Sequence, residues 1–274
     1  MNQINQLELN GVTLEFIDTG KNGSTPETLV LIHGAGANLN QFVTQVEYFS
    51  QKYRVIVPSL RGHGASTFPE HQGLEAFSLA TMAQDLIQLL EKLQPGPVHI
   101  VGNSAGGVMG LELAHQRPDL VKSLAIYGTT GKMAFPQFLR NFTLWFDTQN
   151  ATKNPEKKYK TLARYTSKMA HTQEQVYQMF LAAKKAIPGF RYALGKYDFL
   201  PGIKSLPCPF CIFKSQYDHD INLVLKATIQ AMEAQKTMTG LPSQVRELPG
   251  VGHIANLDNP ELFNQAVEQW LDGI

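Results

Sequence analysis

Five short, mostly apolar runs at 28–32, 53–58, 98–101, 124–127 and 210–213 constrain this chain more than any other feature. Each is too short for a buried helix and is bounded by Gly, Pro or polar residues, the pattern of strands covered on both faces. A sixth strand is expected at 244–248. Between them lie segments with helical spacing. In 79–93 the residues Met82, Leu86, Leu89, Leu90 and Leu93 fall on one face, and Pro95 follows. Further helices are expected over 104–117, 221–239 and 260–271, the last with Pro260 in its first turn. Strands alternating with helices give an α/β fold with a mostly parallel central sheet.

Composition narrows the function classes. The chain has 274 residues, 43% hydrophobic and 17% charged, with a net charge of +1. That balance suits a globular chain and excludes a strongly basic nucleic-acid binder. Two cysteines, Cys208 and Cys211, cannot staple a disulfide scaffold. Their C-x-x-C spacing opens a strand rather than a helix, so they read as core or edge residues and not as a redox pair. The first residues carry no basic cluster and no apolar run, and no stretch reaches the roughly 18 apolar residues of a membrane span. The expected location is the cytoplasm, as a monomer or homodimer.

Residues 131–200 break the alternation and hold no evident strand. They contain 13 of the 26 aromatic residues and 12 Lys/Arg against 4 Asp/Glu. The segment reads as a helical cap inserted into a core formed by 1–130 and 201–274. It would cover the carboxyl edge of the sheet, where ligands of open α/β sheets bind. Its aromatics Phe135, Phe138, Phe142, Trp145 and Phe146 are candidates to line an apolar pocket. Its basic residues, among them Lys153, Lys157, Lys158, Lys160, Arg164 and Lys168, suit solvated helix faces and are compatible with an anionic substrate.

The motif with chemistry is Gly102-Asn103-Ser104-Ala105-Gly106-Gly107, set between the strand at 98–101 and the helix that follows. A G-x-S-x-G turn in that context lifts a serine hydroxyl above the sheet, and its tightness demands small residues on either side of the serine. Serine needs an adjacent base to act as a nucleophile. The base expected after the last strand is His253; His219 precedes that strand, and His33 precedes the serine. The acid expected after the fifth apolar run is Asp218. Asp220 sits just before the helix at 221, where an N-cap role suits it. The amide of Ala105 and that of Ala35, in the turn His33-Gly34-Ala35-Gly36, are the expected oxyanion donors.

These residues resemble the α/β-hydrolase fold family over nearly the whole chain. The resemblance rests on His33-Gly34, Arg61-Gly62-His63-Gly64-Ala65-Ser66, the Gly102–Gly107 motif, Asp218, Gly252-His253 and Asn259-Pro260-Glu261. It implies a sheet flanked by helices with a cap after the sixth strand of the fold. It implies a Ser104-His253-Asp218 triad, a loop-shaping role for His63, and no metal or organic cofactor. The implied activity is hydrolysis of a carboxylic ester or related acyl compound, including lactones and thioesters, in a small molecule with an apolar portion. Branches with an Asp nucleophile are set aside by Ser104. The Gly-Asn-Ser-x-Gly-Gly form keeps open C–C bond hydrolysis of a vinylogous diketone, and the fold also serves ligand-binding receptors. One departure from the family pattern is Ser215 where Gly is usual, three residues before the acid.

Overall fold

The computed structural model describes residues 3–9, 11–20, 27–69 and 73–274. Its strands are β1 (Ile4–Leu9), β2 (Val12–Asp18), β3 (Thr28–Ile32), β4 (Arg54–Pro58), β5 (Val98–Asn103), β6 (Val121–Tyr127), β7 (Lys132–Ala134), β8 (Lys196–Asp198), β9 (Phe210–Ser215) and β10 (Gln244–Leu248). The α-helices are α1 (Val43–Phe49), α2 (Leu79–Leu93), α3 (Ala105–Gln116), α4 (Gln137–Lys153), α5 (Pro155–Thr166), α6 (Ala170–Ala182), α7 (Ile187–Ala193), α8 (Leu200–Lys204), α9 (His219–Val224), α10 (Lys226–Thr239), α11 (Ala255–Asp258) and α12 (Pro260–Leu271).

Eight strands form one sheet in the order β1-β2-β4-β3-β5-β6-β9-β10. From β4 to β10 every neighbouring pair is parallel, and the β1–β2 hairpin adds an antiparallel edge. Alternate residues of the apolar runs feed two separate cores. Val30, Ile32, Ile100, Leu124, Ile126 and Ile212 pack with α2 and α3 on one face. Leu29, Leu31, Val101, Ala125, Tyr127 and Phe213 pack with α1 and α12 on the other, around Phe49, Phe263 and Trp270. Burial on both faces is why these strands read as continuous apolar runs.

Several elements differ from the sequence reading. The β1–β2 hairpin was not anticipated, because β1 alternates exposed and partly buried residues instead of forming an apolar run. The 221–239 helix is two, α9 and α10, joined at Leu225. Residues 131–200 do contain strands: β7 and β8 pair antiparallel at the two ends of the segment, bringing the chain back beside its point of departure. Helices α5, α6 and α7 share a third apolar cluster, with Tyr159, Val176, Phe180 and Ile187 set against Ala37, Ile254 and Leu257. The last three belong to loops and a short helix beyond the carboxyl ends of β3 and β10.

The approach of α3 to the sheet is the closest constraint on the architecture. A Cβ on Gly106 would lie 2.1 Å from the Ile32 carbonyl oxygen, and one on Gly102 would lie 2.4 Å from the carbonyl oxygen of Gly106. Both neighbours are backbone, so neither site can yield by a rotamer change. Gly106→Ala is expected to lower unfolding free energy by about 1–3 kcal/mol, the usual cost of forced overpacking. Urea denaturation monitored by circular dichroism checks this, and an unchanged midpoint would contradict the packing.

Candidate active site

Ser104 stands between β5 and α3 with φ 50° and ψ −115°. Among the described residues the other non-glycine with positive φ is Gln94, in the relaxed left-handed conformation that ends α2. A side chain held at the Ser104 geometry costs about 1–3 kcal/mol and persists only where its surroundings enforce it. The Ser104 amide donates to the Tyr127 carbonyl at 2.8 Å, and its own carbonyl accepts from Val108 at 3.2 Å. Although Ser104 occupies the N-cap position of α3, its hydroxyl makes no capping bond and remains available.

Two amides near this hydroxyl are unused. Neither the Ala35 nor the Ala105 N–H makes a hydrogen bond within the described protein. The turn bearing Ala35 is held by two buried histidines. His33 accepts from the Leu60 amide at 2.8 Å through Nε2 and bonds the Gly34 carbonyl through Nδ1. His63 accepts from the Gly36 amide at 2.9 Å through Nε2 and bonds the Arg61 carbonyl through Nδ1. Burial pushes His33 down to about 3 and His63 down to about 4, so both rings stay neutral near pH 7. Their nitrogens are consumed by backbone, and neither ring lines the cavity above Ser104. Arg61 is likewise internal, paired with the buried Asp85 at 2.7 Å.

Strands β9 and β10 are parallel neighbours with Ser215 opposite Leu248, so the loops leaving them emerge side by side. Tyr217 donates to the Val251 carbonyl at 2.9 Å, and Gly250 donates to Gln216 Oε1 at 2.7 Å. This cross-linking sets His253 Nδ1 3.0 Å from Asp218 Oδ2. Gly252 is fixed by Asp258, whose Oδ2 accepts its amide at 2.8 Å. Burial alone would push the His253 pKa down. The Asp218 hydrogen bond and charge, reinforced by Asp258 and Asp220, outweigh it, and the pKa lies above the ordinary value of 6.5. Ser215 is not at positive φ, so the turn to Asp218 does not require the usual glycine.

Asp220 does not cap a helix. It lies inside the first turn of α9, whose N-cap residue is Asp218, and it accepts a hydrogen bond from the Tyr165 hydroxyl. His219 is exposed and lies outside the main cavity. The two cysteines are buried free thiols, and burial pushes Cys208 up to about 12.

Beneath Ser104 lies a buried amide network that hydropathy did not reveal. Gln41 Nε2 is 3.1 Å from Asn103 Oδ1, 3.1 Å from Asn256 Oδ1 and 3.3 Å from the Tyr127 hydroxyl. Gln41 Oε1 accepts from the Gly34 amide at 3.3 Å. Asn256 Nδ2 returns to the Gln41 carbonyl at 2.7 Å and to Gln45 Oε1 at 3.1 Å. Asn103 Nδ2 donates to the His253 carbonyl at 3.0 Å. One cluster therefore ties together the Gly34 turn, the residue preceding Ser104 and the loop of His253. The sequence signal for it is slight: Gln41, Gln45 and Asn256 are each followed by an apolar core residue, Phe42, Val46 and Leu257.

Ser104 and His253 line a common cavity of about 360 Å³, at the small end of the roughly 300–1,000 Å³ usual for ligand sites. Gly34, Ala35, Met133, Phe135, Arg140 and Phe180 are also on its wall. No hydrogen bond joins Ser104 to His253 among the described residues. Of the five aromatics expected to line a pocket, only Phe135 does so. Phe138, Phe142, Trp145 and Phe146 lie outside it on exposed positions of α4, Phe138 being 75% accessible. Phe142 stacks on Phe146 and meets Trp145 at a tilt, outside the cavity.

A strained serine at a strand–helix turn thus shares a cavity on an α/β sheet with a histidine bonded to a carboxylate. The family model for the alpha/beta hydrolase fold matches residues 27–260, and the chain belongs to that family. It is 26% identical over 284 residues to (E)-2-((N-methylformamido)methylene)succinate hydrolase of Acinetobacter baylyi, covering 96% of this chain and 95% of that protein. It is 24% identical to 3-oxoadipate enol-lactonase 2 of the same organism, covering 88% of this chain and 86% of that one. A thermophilic esterase from Thermogutta terrifontis, solved with malate bound, superposes with a TM-score of 0.80 at 23% identity, covering 99% and 98% of the two chains. By name these relatives are a hydrolase, an enol-lactonase and an esterase, and the structural likeness speaks for the fold.

Gln41→Leu is expected to strand the Gly34 amide and Asn103 Oδ1, at a cost of about 1–3 kcal/mol for each buried group left unpaired. Thermal unfolding checks this. A stability equal to that of the unaltered protein would show that the network is not holding the three loops.

Proposed function

We propose that the protein is a serine hydrolase of small carboxylic esters or lactones, with Ser104, His253 and Asp218 as its triad. The observation that carries this reading is the strained Ser104. Its hydroxyl is uncommitted, two unpartnered amides lie nearby, and the cavity it lines is shared with an Asp218-bonded histidine.

His253 Nε2 takes the Ser104 proton as Oγ attacks the carbonyl carbon, and the Ala35 and Ala105 amides bind the resulting oxyanion. The carbon–oxygen bond to the leaving group then breaks, and His253 returns the proton to the departing alkoxide. Water, deprotonated by His253, adds to the acyl-enzyme. The acid leaves and the proton returns to Ser104. Asp218 holds the ring and stabilises the imidazolium, and no cofactor takes part. The Ser104–His253 hydrogen bond forms in the substrate complex, where catalytic contacts commonly tighten. Residues 131–200 act as a cap over this chemistry, resting on Ala37, Ile254 and Leu257. The Asn103 side chain, spent on Gln41 and the His253 carbonyl, adds nothing in favour of C–C bond hydrolysis.

The pH dependence follows from the sign of the His253 shift. The base must be neutral, and a raised pKa means that neutrality is lost as pH falls through a value above 6.5. The acid limb of kcat/KM for p-nitrophenyl acetate is therefore expected above pH 6.5. Asp218→Asn should move it to lower pH while reducing kcat by up to about 10⁴-fold. A limb near pH 4 in the unaltered protein would exclude His253 as the base.

A fluorophosphonate is expected to add once, at Ser104, with the intact mass rising by one phosphonyl group. Ser104→Ala should abolish the adduct. Labelling that persists in that variant would assign the nucleophile elsewhere.

A further inference from the structure

We propose that Arg140, supported by Arg191, forms a carboxylate-binding subsite in the cavity, so that the substrate is an acyl compound carrying a second, anionic group. The proposal rests on the hydrolase reading for the reaction, but the subsite stands on its own geometry. Arg140 on α4 and Arg191 on α7 both line the cavity with Ser104, and no Asp or Glu does. The rest of that wall is apolar or neutral, with Met133, Leu194 and Ile187 among it.

Arg140 is held in place without a carboxylate. Its Nε and Nη2 donate to the Tyr192 carbonyl at 3.2 and 3.1 Å, and Nη1 donates to Gln137 Oε1 at 3.1 Å. The guanidinium also lies 4.2 Å over the Tyr192 ring. Three of its five N–H groups are engaged, leaving two free and a full charge unneutralised. Gly195 makes room for this arrangement: a Cβ there would fall 3.0 Å from Arg140 Cγ and 3.3 Å from Nε. A fixed guanidinium with free donors is the form in which arginine reads carboxylates bidentately.

Arg191 sharpens the charge balance. It bonds both oxygens of Asp147 at 2.8 Å, but that fully buried carboxylate also accepts from Lys158 at 2.9 Å. Counting Arg140, the helices α4, α5 and α7 thus bring three cations and one anion to this side. Arg191 is exposed and Arg140 half-buried, so water solvates part of this excess, and a ligand carboxylate that displaces that water pairs with it directly. Because the cavity holds only about 360 Å³, the anion and the scissile carbonyl belong to one small molecule, of the size of a short dicarboxylic half-ester.

Monomethyl succinate and dimethyl succinate, which differ in the charge of one terminus, test this. The unaltered protein is expected to favour the monoanion in kcat/KM by about tenfold or more, as a charged hydrogen bond is worth. In Arg140→Gln the KM for the monoanion should rise by about tenfold and the preference should collapse, with Arg140→Lys restoring part of it. Equal use of both esters, or a preference untouched by Arg140→Gln, overturns the subsite and leaves the hydrolase reading intact. If Arg140→Gln does not fold, Gly195→Ala displaces the same guanidinium and is read the same way. A second measurement needs no turnover: calorimetric titration of Ser104→Ala with succinate and with succinamide. Succinate should bind, succinamide should not, and adding Arg140→Gln should remove the binding. Succinate binding in a protein that hydrolyses neither ester would keep the subsite and overturn the hydrolase reading. No succinate binding overturns the subsite.

Discussion

The backbone at Ser104 is the constraint on which the rest of the structure depends. Its conformation is unfavourable for any residue with a Cβ, so the surrounding packing must enforce it. That packing brings α3 so close to the Ile32 carbonyl of β3 and to Gly102 of β5 that only glycine fits at 102 and 106. The first amide of α3 has no intrahelical partner, as at any helix start, and the serine hydroxyl does not cap it. One strained turn therefore carries the uncommitted hydroxyl, an unpaired donor at the helix start and the direction of the helix.

The loops around that turn are held by neutral groups. Gln41, Asn103, Asn256 and Tyr127 reach across elements distant in sequence, and His33 and His63 fix the Gly34 turn as uncharged rings. Amides serve here for a physical reason. Each can donate and accept, so several loops can be joined with few buried groups left over, and without the desolvation that an ion pair would impose. Asp218 and Asp258 are exceptions, and Asp218 is matched by His253, whose pKa is raised by it.

Legibility in the sequence follows how each feature is stabilised. Strands β3 to β6 and β9 are buried on both faces, so apolar runs reveal them, and the small residues about Ser104 reveal the turn. Asp218 and His253 were findable because each follows a parallel strand and must emerge at the carboxyl edge. The β1–β2 hairpin was hidden by its half-exposed alternation, though the sequence has the turn-forming pair Asn10-Gly11 between its strands. The amide network was hidden because buried Gln and Asn look like surface residues until their partners are known. The aromatics of α4 misled in the opposite sense. Phe138 and Trp145 look like pocket residues, yet they sit outward, since the face of α4 turned to the cavity carries Arg140 and Thr143.

That inversion on α4 bears on how substrate would be chosen. An apolar wall binds acyl chains with little discrimination, because each methylene contributes only modestly to specificity. A buried donor left unpaired by the wrong ligand discriminates far more strongly. With Arg140 free of any carboxylate and Asp147 shared between Arg191 and Lys158, the cationic side of the cavity is electrically incomplete when empty. The proposed nucleophile and its base lie on the floor, and Arg140 and Arg191 lie on the helices above. In such an arrangement the floor determines which bond is cleaved, and the proposed cap determines which molecules arrive with that bond in place.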